Sequence, residues 1–126
     1  MKSVTVGWFE IPVLDMDRAI AFYQNVFDCK LEKQDMGGLI MAWFPWDESL
    51  GGAGGSLVFH QQFYHPSRES GPLVYFSCED CALELEKIKA AGGEVMIPKR
   101  QISPEIGYMA VFFDTEGNRI ALFSKS

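Results

Sequence analysis

The sequence predicts an α+β fold in which two β-α-β-β-β modules, at about residues 1–65 and 66–126, follow one another in a single domain. Three observations predict it. Each half carries one helical repeat of apolar residues among strand-like runs. The halves superpose at an offset of 65 residues, which places Asp15 on Asp80 and Gly52 on Gly117. A chain of 126 residues has the length of one domain.

The first module opens with a β-branched and aromatic run at residues 4–11, which predicts a strand closed by Pro12. Asp15 is the predicted N-cap of a helix over about 16–27. One face of that helix is apolar at helical spacing: Met16, Ala19, Ile20, Tyr23, Val26 and Phe27. Three further strands are predicted at about 29–35, 38–45 and 56–63, with a Gly-rich loop before the last.

The second module repeats this order. Residues 73–77 predict a strand, and Asp80 is the predicted cap of a helix that buries Cys81, Leu85 and Ile88. Gly92 and Gly93 end the helix, because glycine accepts the left-handed conformation that a helix C-terminus needs. The remaining predicted strands cover about 94–99, 107–113 and 118–124, and a hairpin turn at 114–118 joins the last two.

The composition excludes several classes of protein. The net charge of −6 comes from 17 acidic and 11 basic residues scattered along the chain, so nucleic acid is not an expected partner. The most apolar stretch, residues 36–46, is only 11 residues long, whereas a membrane span needs about 20. Three cysteines without a secretory signal predict a cytoplasmic protein that lacks a disulfide scaffold.

Three segments resemble the glyoxalase / bleomycin-resistance / extradiol-dioxygenase superfamily, also called the vicinal oxygen chelate superfamily. Residues 9–23, with the stretch Arg18-Ala19-x-x-Phe22-Tyr23, are similar to its opening strand and helix. Residues 114–122, Asp-Thr-Glu-Gly-Asn-Arg-Ile-Ala-Leu, are similar to its closing hairpin, and residues 90–95 to the end of its second helix. The resemblance implies two packed modules whose curved sheets enclose a cleft, and a common homodimeric state.

The resemblance also implies where a metal would be held. Metal-dependent members place His, Glu or Gln at four inward strand positions, which fall here on Trp8, Ser56, Leu73 and Ala121. None of these side chains is a normal ligand of a divalent metal. A slip in the Gly-rich loop would replace Ser56 by Val58 or His60, which still gives at most one ligand. We therefore expect no metal and no other cofactor.

Other candidate residues have ordinary structural explanations. His60 and His65 are five residues apart, which would put them on opposite faces of a strand, and His60 is the general-base candidate near neutral pH. Cys78 and Cys81 form a C-x-x-C pattern, but it straddles a strand–helix junction and has no second pair. Two unpaired structural thiols are therefore the favoured interpretation.

Glu10 shares a strand face with Trp8, because the two differ by two positions. A carboxylate in an aromatic pocket is suited to acid–base chemistry or to a cationic ligand; alternatively, Glu10 pairs with Arg119 or caps a backbone group. Further aromatic residues line the cleft, or belong to the core or to a dimer contact: Trp43, Phe44, Trp46 and Tyr108.

The predicted function is a metal-free small-molecule-binding protein of the glyoxalase / bleomycin-resistance type, which sequesters a small organic ligand or turns it over. One alternative is a divalent-metal-dependent lyase or dioxygenase of the same superfamily with displaced ligands. Another is a protein-interaction module. The predicted ligand site has aromatic surface, one carboxylate, one phenol and no second charge, and it consists of Trp8, Glu10, Ser56, Leu73, Tyr75 and Ala121.

Overall fold

The structure is a computed structural model that describes residues 2–126, and within them it has eight strands and two α-helices. The helices are α1 (Met16–Phe27) and α2 (Cys81–Ala90). The strands are β1 (Trp8–Pro12), β2 (Glu32–Asp35), β3 (Ile40–Trp43), β4 (Gly54–Phe59), β5 (Tyr75–Ser77), β6 (Glu94–Ser103), β7 (Gly107–Phe113) and β8 (Arg119–Ser124). No helix of this part of the chain is long and apolar enough to cross a membrane.

The strands form two four-stranded sheets of the same topology. The first has the order β1-β4-β3-β2 and the second β5-β8-β7-β6. The parallel pairs are β1 with β4 and β5 with β8. Glu10 lies opposite Ser56 in the first sheet, and Tyr75 lies opposite Ala121 in the second. These pairs are related by the offset of 65 residues, and the predicted α+β fold of two β-α-β-β-β modules is confirmed.

Helix α1 has the predicted bounds. The Asp15 side chain accepts a hydrogen bond of 3.1 Å from the backbone N–H of Arg18, which satisfies one of the free donors at the helix start. At the other end Asp28 adopts a left-handed conformation with φ of 50°. Helix α2 begins in the same way at Asp80, whose carboxylate accepts from Ala82 N at 2.9 Å.

The two helices and the helix-covered faces of both sheets share one hydrophobic core. Phe22 and Tyr23 of α1 are buried within it, and the Phe22 ring centroid lies 6.1 Å from that of Phe112 in the second sheet. Across the junction of the sheets, the rings of Phe9 and Phe76 meet edge to face at 5.6 Å. The burial of aromatic surface from both modules therefore holds the sheets in a fixed relation.

Strand limits differ from the predicted ones where pairing is lost. β1 begins at Trp8, because its partner β4 begins opposite it at Gly54, and residues 4–7 have no strand beside them. β4 stops at Phe59, so the prediction of a strand through residue 63 was wrong. There the ring Nδ1 of His60 accepts from Gln62 N at 3.1 Å, and the chain turns away.

The opening and closing segments that carry the family resemblance contact each other. Tyr23 donates a hydrogen bond of 2.7 Å to the buried carboxylate of Asp114, and the Asn118 amide donates to Pro12 O at 2.7 Å. Glu116 accepts from the guanidinium of Arg18 at 2.8 Å. The opening helix and the closing hairpin are therefore fastened together by polar contacts inside the molecule.

Candidate functional site

A groove runs between β1 and β5, the two inner edge strands that belong to different sheets and do not pair with each other in the described chain. Its volume is about 850 Å³, within the range of small-molecule sites. Trp8 and Glu10 line one side, and Leu73 and Tyr75 line the other. Aromatic rings of the shared core are also part of the lining: Phe9, Phe44 and Phe76.

Besides the Tyr75 phenol, three ionisable side chains line the groove. Glu10 stands on β1, Arg119 begins β8, and His65 comes from the segment that joins the modules. The six residues of the predicted ligand site include one charged group, Glu10, and the groove adds the Arg119 guanidinium, because β8 starts beside β5.

Of the six residues in the predicted ligand site, four line the groove and two do not. Phe9 and Ile11 pack in the shared core, so strand alternation puts Trp8 and Glu10 on the opposite face of β1. Ser56 and Ala121 are fully buried one strand further in, opposite Glu10 and Tyr75. They form part of the sheets behind the groove walls.

The environments of these two buried residues differ. Ala121 packs in a small apolar cluster with Met109 and Val111 on the helix-free face of the second sheet. The hydroxyl of Ser56 is buried with no hydrogen-bond partner within the described chain. Leaving such a buried group unsatisfied costs about 1–3 kcal/mol of folding free energy. The Ser56 hydroxyl therefore remains free to form a hydrogen bond with a bound group.

Three tryptophans, on β1, on β3 and in the loop before β4, form an aromatic surface that we call the tryptophan cluster: Trp8, Trp43 and Trp46. The rings of Trp8 and Trp43 are 5.7 Å apart with an angle of 76° between their planes. A Cβ added to Gly54 would lie 3.2 Å from the Trp8 ring and 3.3 Å from the Trp46 ring, so both indoles sit over this glycine. All three side chains remain partly exposed, whereas Phe44 packs in the shared core.

Glu10 is held by a tyrosine from the segment that joins the modules. Tyr64 donates a hydrogen bond of 2.6 Å to Glu10 Oε1, and this bond raises the pKa of Tyr64 above its usual range, with smaller contributions from burial and from the Glu10 charge. The alternative pairing of Glu10 with Arg119 is not found among the described residues. No local pattern in the sequence indicates this contact, because Tyr64 and Glu10 are 54 positions apart.

The two histidines do not share a strand. The His60 ring stacks on Phe63 with centroids 4.8 Å apart and lies outside the groove lining. His65 lines the groove, and its Nε2 is 2.9 Å from Gln62 O. The expectation that they occupy opposite strand faces was wrong, because β4 ends before His60.

The cysteines have structural surroundings. Cys81 is buried at the start of α2, and its sulfur accepts a hydrogen bond of 3.1 Å from the Ser124 hydroxyl. Burial, with a smaller contribution from Cys81, raises the pKa of Cys78 to about 12. A thiol with such a pKa is almost entirely protonated at neutral pH, so it is a poor nucleophile and a poor metal ligand.

The four positions to which the sequence resemblance assigns metal ligands do not fit a divalent metal here. An indole, a buried hydroxyl and two aliphatic side chains occupy them, at Trp8, Ser56, Leu73 and Ala121, and divalent metals are held by imidazole, carboxylate or thiolate groups. Within residues 2–126, no group of three or more His, Cys, Asp or Glu side chains is arranged to hold a metal ion.

Solved structures with the same fold are numerous. A glyoxylase / bleomycin resistance protein / dioxygenase domain from Frankia sp. EAN1pec has a TM-score of 0.74 at 17% identity, with 99% of this chain and 100% of that chain covered. A mutant of glyoxalase I from Zea mays also gives 0.74, at 19% identity. The trypanothione-dependent glyoxalase I of Leishmania major gives 0.69 at 18% identity, with 98% and 88% covered.

The match to the Zea mays enzyme covers 94% of this chain but 46% of that one, so the chain spans about half the length of that relative. A comparison with curated proteins finds no significant match. The family model of the Glyoxalase/Bleomycin resistance protein/Dioxygenase superfamily matches residues 5–122. Because this match covers nearly all of both modules, the chain belongs to that superfamily.

Proposed function

We propose that the protein binds a small, mostly apolar organic ligand in the groove between β1 and β5, without a family-type metal site. The observation that carries the proposal is the open groove volume of about 850 Å³ beside aromatic side chains. Apolar walls with a few convergent polar groups are typical of small-molecule sites, and here Glu10, His65 and Arg119 supply those groups.

The other two functions considered from the sequence have less support. A metal-dependent lyase or dioxygenase would need ligands other than the side chains at Trp8, Ser56, Leu73 and Ala121. A pure protein-interaction module would be favoured by a groove filled by its own side chains, whereas this groove is open.

The test uses a neutral fluorescent probe, N-phenyl-1-naphthylamine, titrated against the protein and against Tyr75→Ala and Leu73→Ala. We expect saturable binding that either substitution weakens about tenfold, because each removes apolar surface from the groove wall. Phe63→Ala is the matched control, since Phe63 is 74% exposed and lies outside the groove lining. Equal binding by all four proteins would place the probe elsewhere and refute the proposal.

A further inference from the structure

We propose that the ligand carries an alkylated ammonium group, which binds where the tryptophan cluster meets Glu10; this inference rests on the proposed binding function. The tryptophan cluster leaves three large aromatic side chains partly exposed, with Trp8 and Trp46 over Gly54 and Trp43 against Trp8. Indole faces attract cations more strongly than the other aromatic side chains do, and the attraction increases as the site loses water.

The geometry of the cluster provides two adjoining aromatic walls. The planes of Trp8 and Trp43 meet at 76° with their centroids 5.7 Å apart, so the two rings stand nearly at right angles. Gly54 permits this arrangement: its missing side chain leaves space for both the Trp8 and the Trp46 rings, and a Cβ there would be in tight contact with each. Such a corner fits a rounded alkylammonium group better than a flat anion.

A carboxylate stands beside this corner. Glu10 is two residues after Trp8 on the same face of β1, a separation of roughly 7 Å between Cα atoms. Tyr64 binds Glu10 Oε1, while Oε2 has no hydrogen-bond partner among the described residues and remains available to a cation. Ser56, with its unpartnered hydroxyl, lies between Glu10 and Trp43 in the sheet.

Charge around the groove sets the orientation of the ligand. Arg119, the one arginine of the groove lining, lies on the second sheet, so it repels an ammonium group from that wall and leaves the Glu10 side as the favourable one. The net charge of −6 further raises the local concentration of cations. Together these features favour a cation at Trp8 and Glu10 and an apolar or anionic remainder toward Arg119.

The three tryptophans of the cluster are all the tryptophans of the chain, so tryptophan emission reports on this surface alone. The probes are choline and its neutral analogue 3,3-dimethyl-1-butanol, which share shape but differ in charge. We expect choline to change the emission saturably and to bind about tenfold more tightly than the neutral analogue. Isothermal calorimetry gives the same comparison without fluorescence.

The variants are Trp43→Leu, Trp43→Phe and Glu10→Gln. We expect Trp43→Leu and Glu10→Gln to weaken choline binding about tenfold, and Trp43→Phe to weaken it less because an aromatic face remains. Glu105→Gln is the matched control, since it removes one exposed carboxylate from the turn between β6 and β7. Circular dichroism confirms that each variant is folded, and binding of N-phenyl-1-naphthylamine reports the groove independently.

Equal affinity for choline and the neutral analogue, or unchanged choline binding in Trp43→Leu and Glu10→Gln, would overturn the inference. If the naphthylamine probe still binds in that case, only the ammonium preference fails and the groove remains a binding site. If neither probe binds, the proposed function fails with it. Emission that changes with protein concentration but not with choline would show that a second copy covers the cluster, which also overturns the inference.

Discussion

Glu116 illustrates how a single side chain fastens the closing hairpin to the opening loop. Its carboxylate accepts five hydrogen bonds, two from Arg18, two from the backbone N–H groups of Leu14 and Asp15, and one from Thr115. Burial alone would raise the pKa of Glu116, but these bonds, above all that from Arg18, hold the pKa below its ordinary value of 4.5. The charged form therefore stabilises the fold.

Replacing Glu116 by glutamine is expected to lower the free energy of unfolding by about 2 kcal/mol at pH 7, because charged hydrogen bonds become neutral ones. The stabilisation by Glu116 is present above its ordinary pKa and is lost as pH falls through its lowered native pKa. Urea denaturation from pH 7 to pH 3 should therefore show that the difference in free energy of unfolding between the parent and Glu116→Gln decreases below about pH 4.5.

Two comparisons sharpen this test. Glu86→Gln removes an exposed carboxylate that pairs with Lys89, and it should change the stability by less than about 0.5 kcal/mol. Burial raises the pKa of Asp114 despite its hydrogen bonds from Tyr23 and Asn118. Asp114 therefore changes the free energy of unfolding with pH in the opposite direction to Glu116, and because both proteins contain Asp114 this effect cancels when they are compared. A gap that does not change with pH would contradict the role given to Glu116.

Metal content follows from the side chains at Trp8, Ser56, Leu73 and Ala121. We expect protein purified without chelators to contain no stoichiometric divalent metal, because none of these groups is a usual ligand. Elemental analysis by mass spectrometry measures this directly. About one zinc, nickel, iron or manganese per chain, lost in His60→Ala or Glu10→Gln, would reveal displaced ligands and contradict the prediction.

At the scale of single elements, β4 depends on two adjacent glycines. A Cβ on Gly55 would overlap the Phe9 ring, and that ring also contacts Phe44 and Phe76. Gly55→Ala is therefore expected to destabilise the protein by about 1–3 kcal/mol, because Phe9 must leave a packed aromatic group. Gly7→Ala is the control, since nothing lies within 4 Å of a Cβ there.

Thermal denaturation of both alanine variants checks this expectation, and Gly55→Ala combined with Phe9→Leu adds a second comparison. The smaller leucine should recover part of the loss caused by Gly55→Ala, since the two sites share one space. Additive effects of the two substitutions would show that Phe9 is not the obstacle.

Local signals in the sequence are sufficient for some elements and insufficient for others. The Asp15 cap and the apolar spacing predicted the bounds of α1, because both are properties of neighbouring residues. β6 continues to Ser103 although the predicted strand ended at 99, since pairing with β7 and its register shifts carry the strand further. Strand limits depend on a partner strand that lies elsewhere in the chain.

The same distinction applies to the candidate site. Alternation along β1 placed Trp8 and Glu10 on one face, and the structure has both on the groove. The contact of Tyr64 with Glu10 and the charge of Arg119 in the groove arise from chain segments far apart in sequence. Such long-range approaches need the packing of both sheets, which no short window of residues encodes.

For the whole molecule, we propose a homodimer. The described chain leaves Leu50, Leu83 and Ile106 exposed by 83%, 61% and 50%, and large apolar side chains at the surface often mark a contact with another copy. Light scattering at micromolar concentration should give twice the monomer mass, whereas a monomer mass would contradict the proposal. The prediction that residues 1–126 form one domain with modules divided near residue 65 stays a prediction.

The fastening of the closing hairpin also has a consequence for biosynthesis. Three groups near the first helix bond to the closing hairpin: Leu14 N–H to Glu116, Pro12 O to Asn118, and the Tyr23 hydroxyl to Asp114. The ribosome adds these partners about a hundred residues later. The first helix and its entry loop therefore cannot reach their final hydrogen bonding while the nascent chain is still short of the last hairpin. Such late closure delays native contacts during translation, and it makes the first module depend on residues made about a hundred positions later.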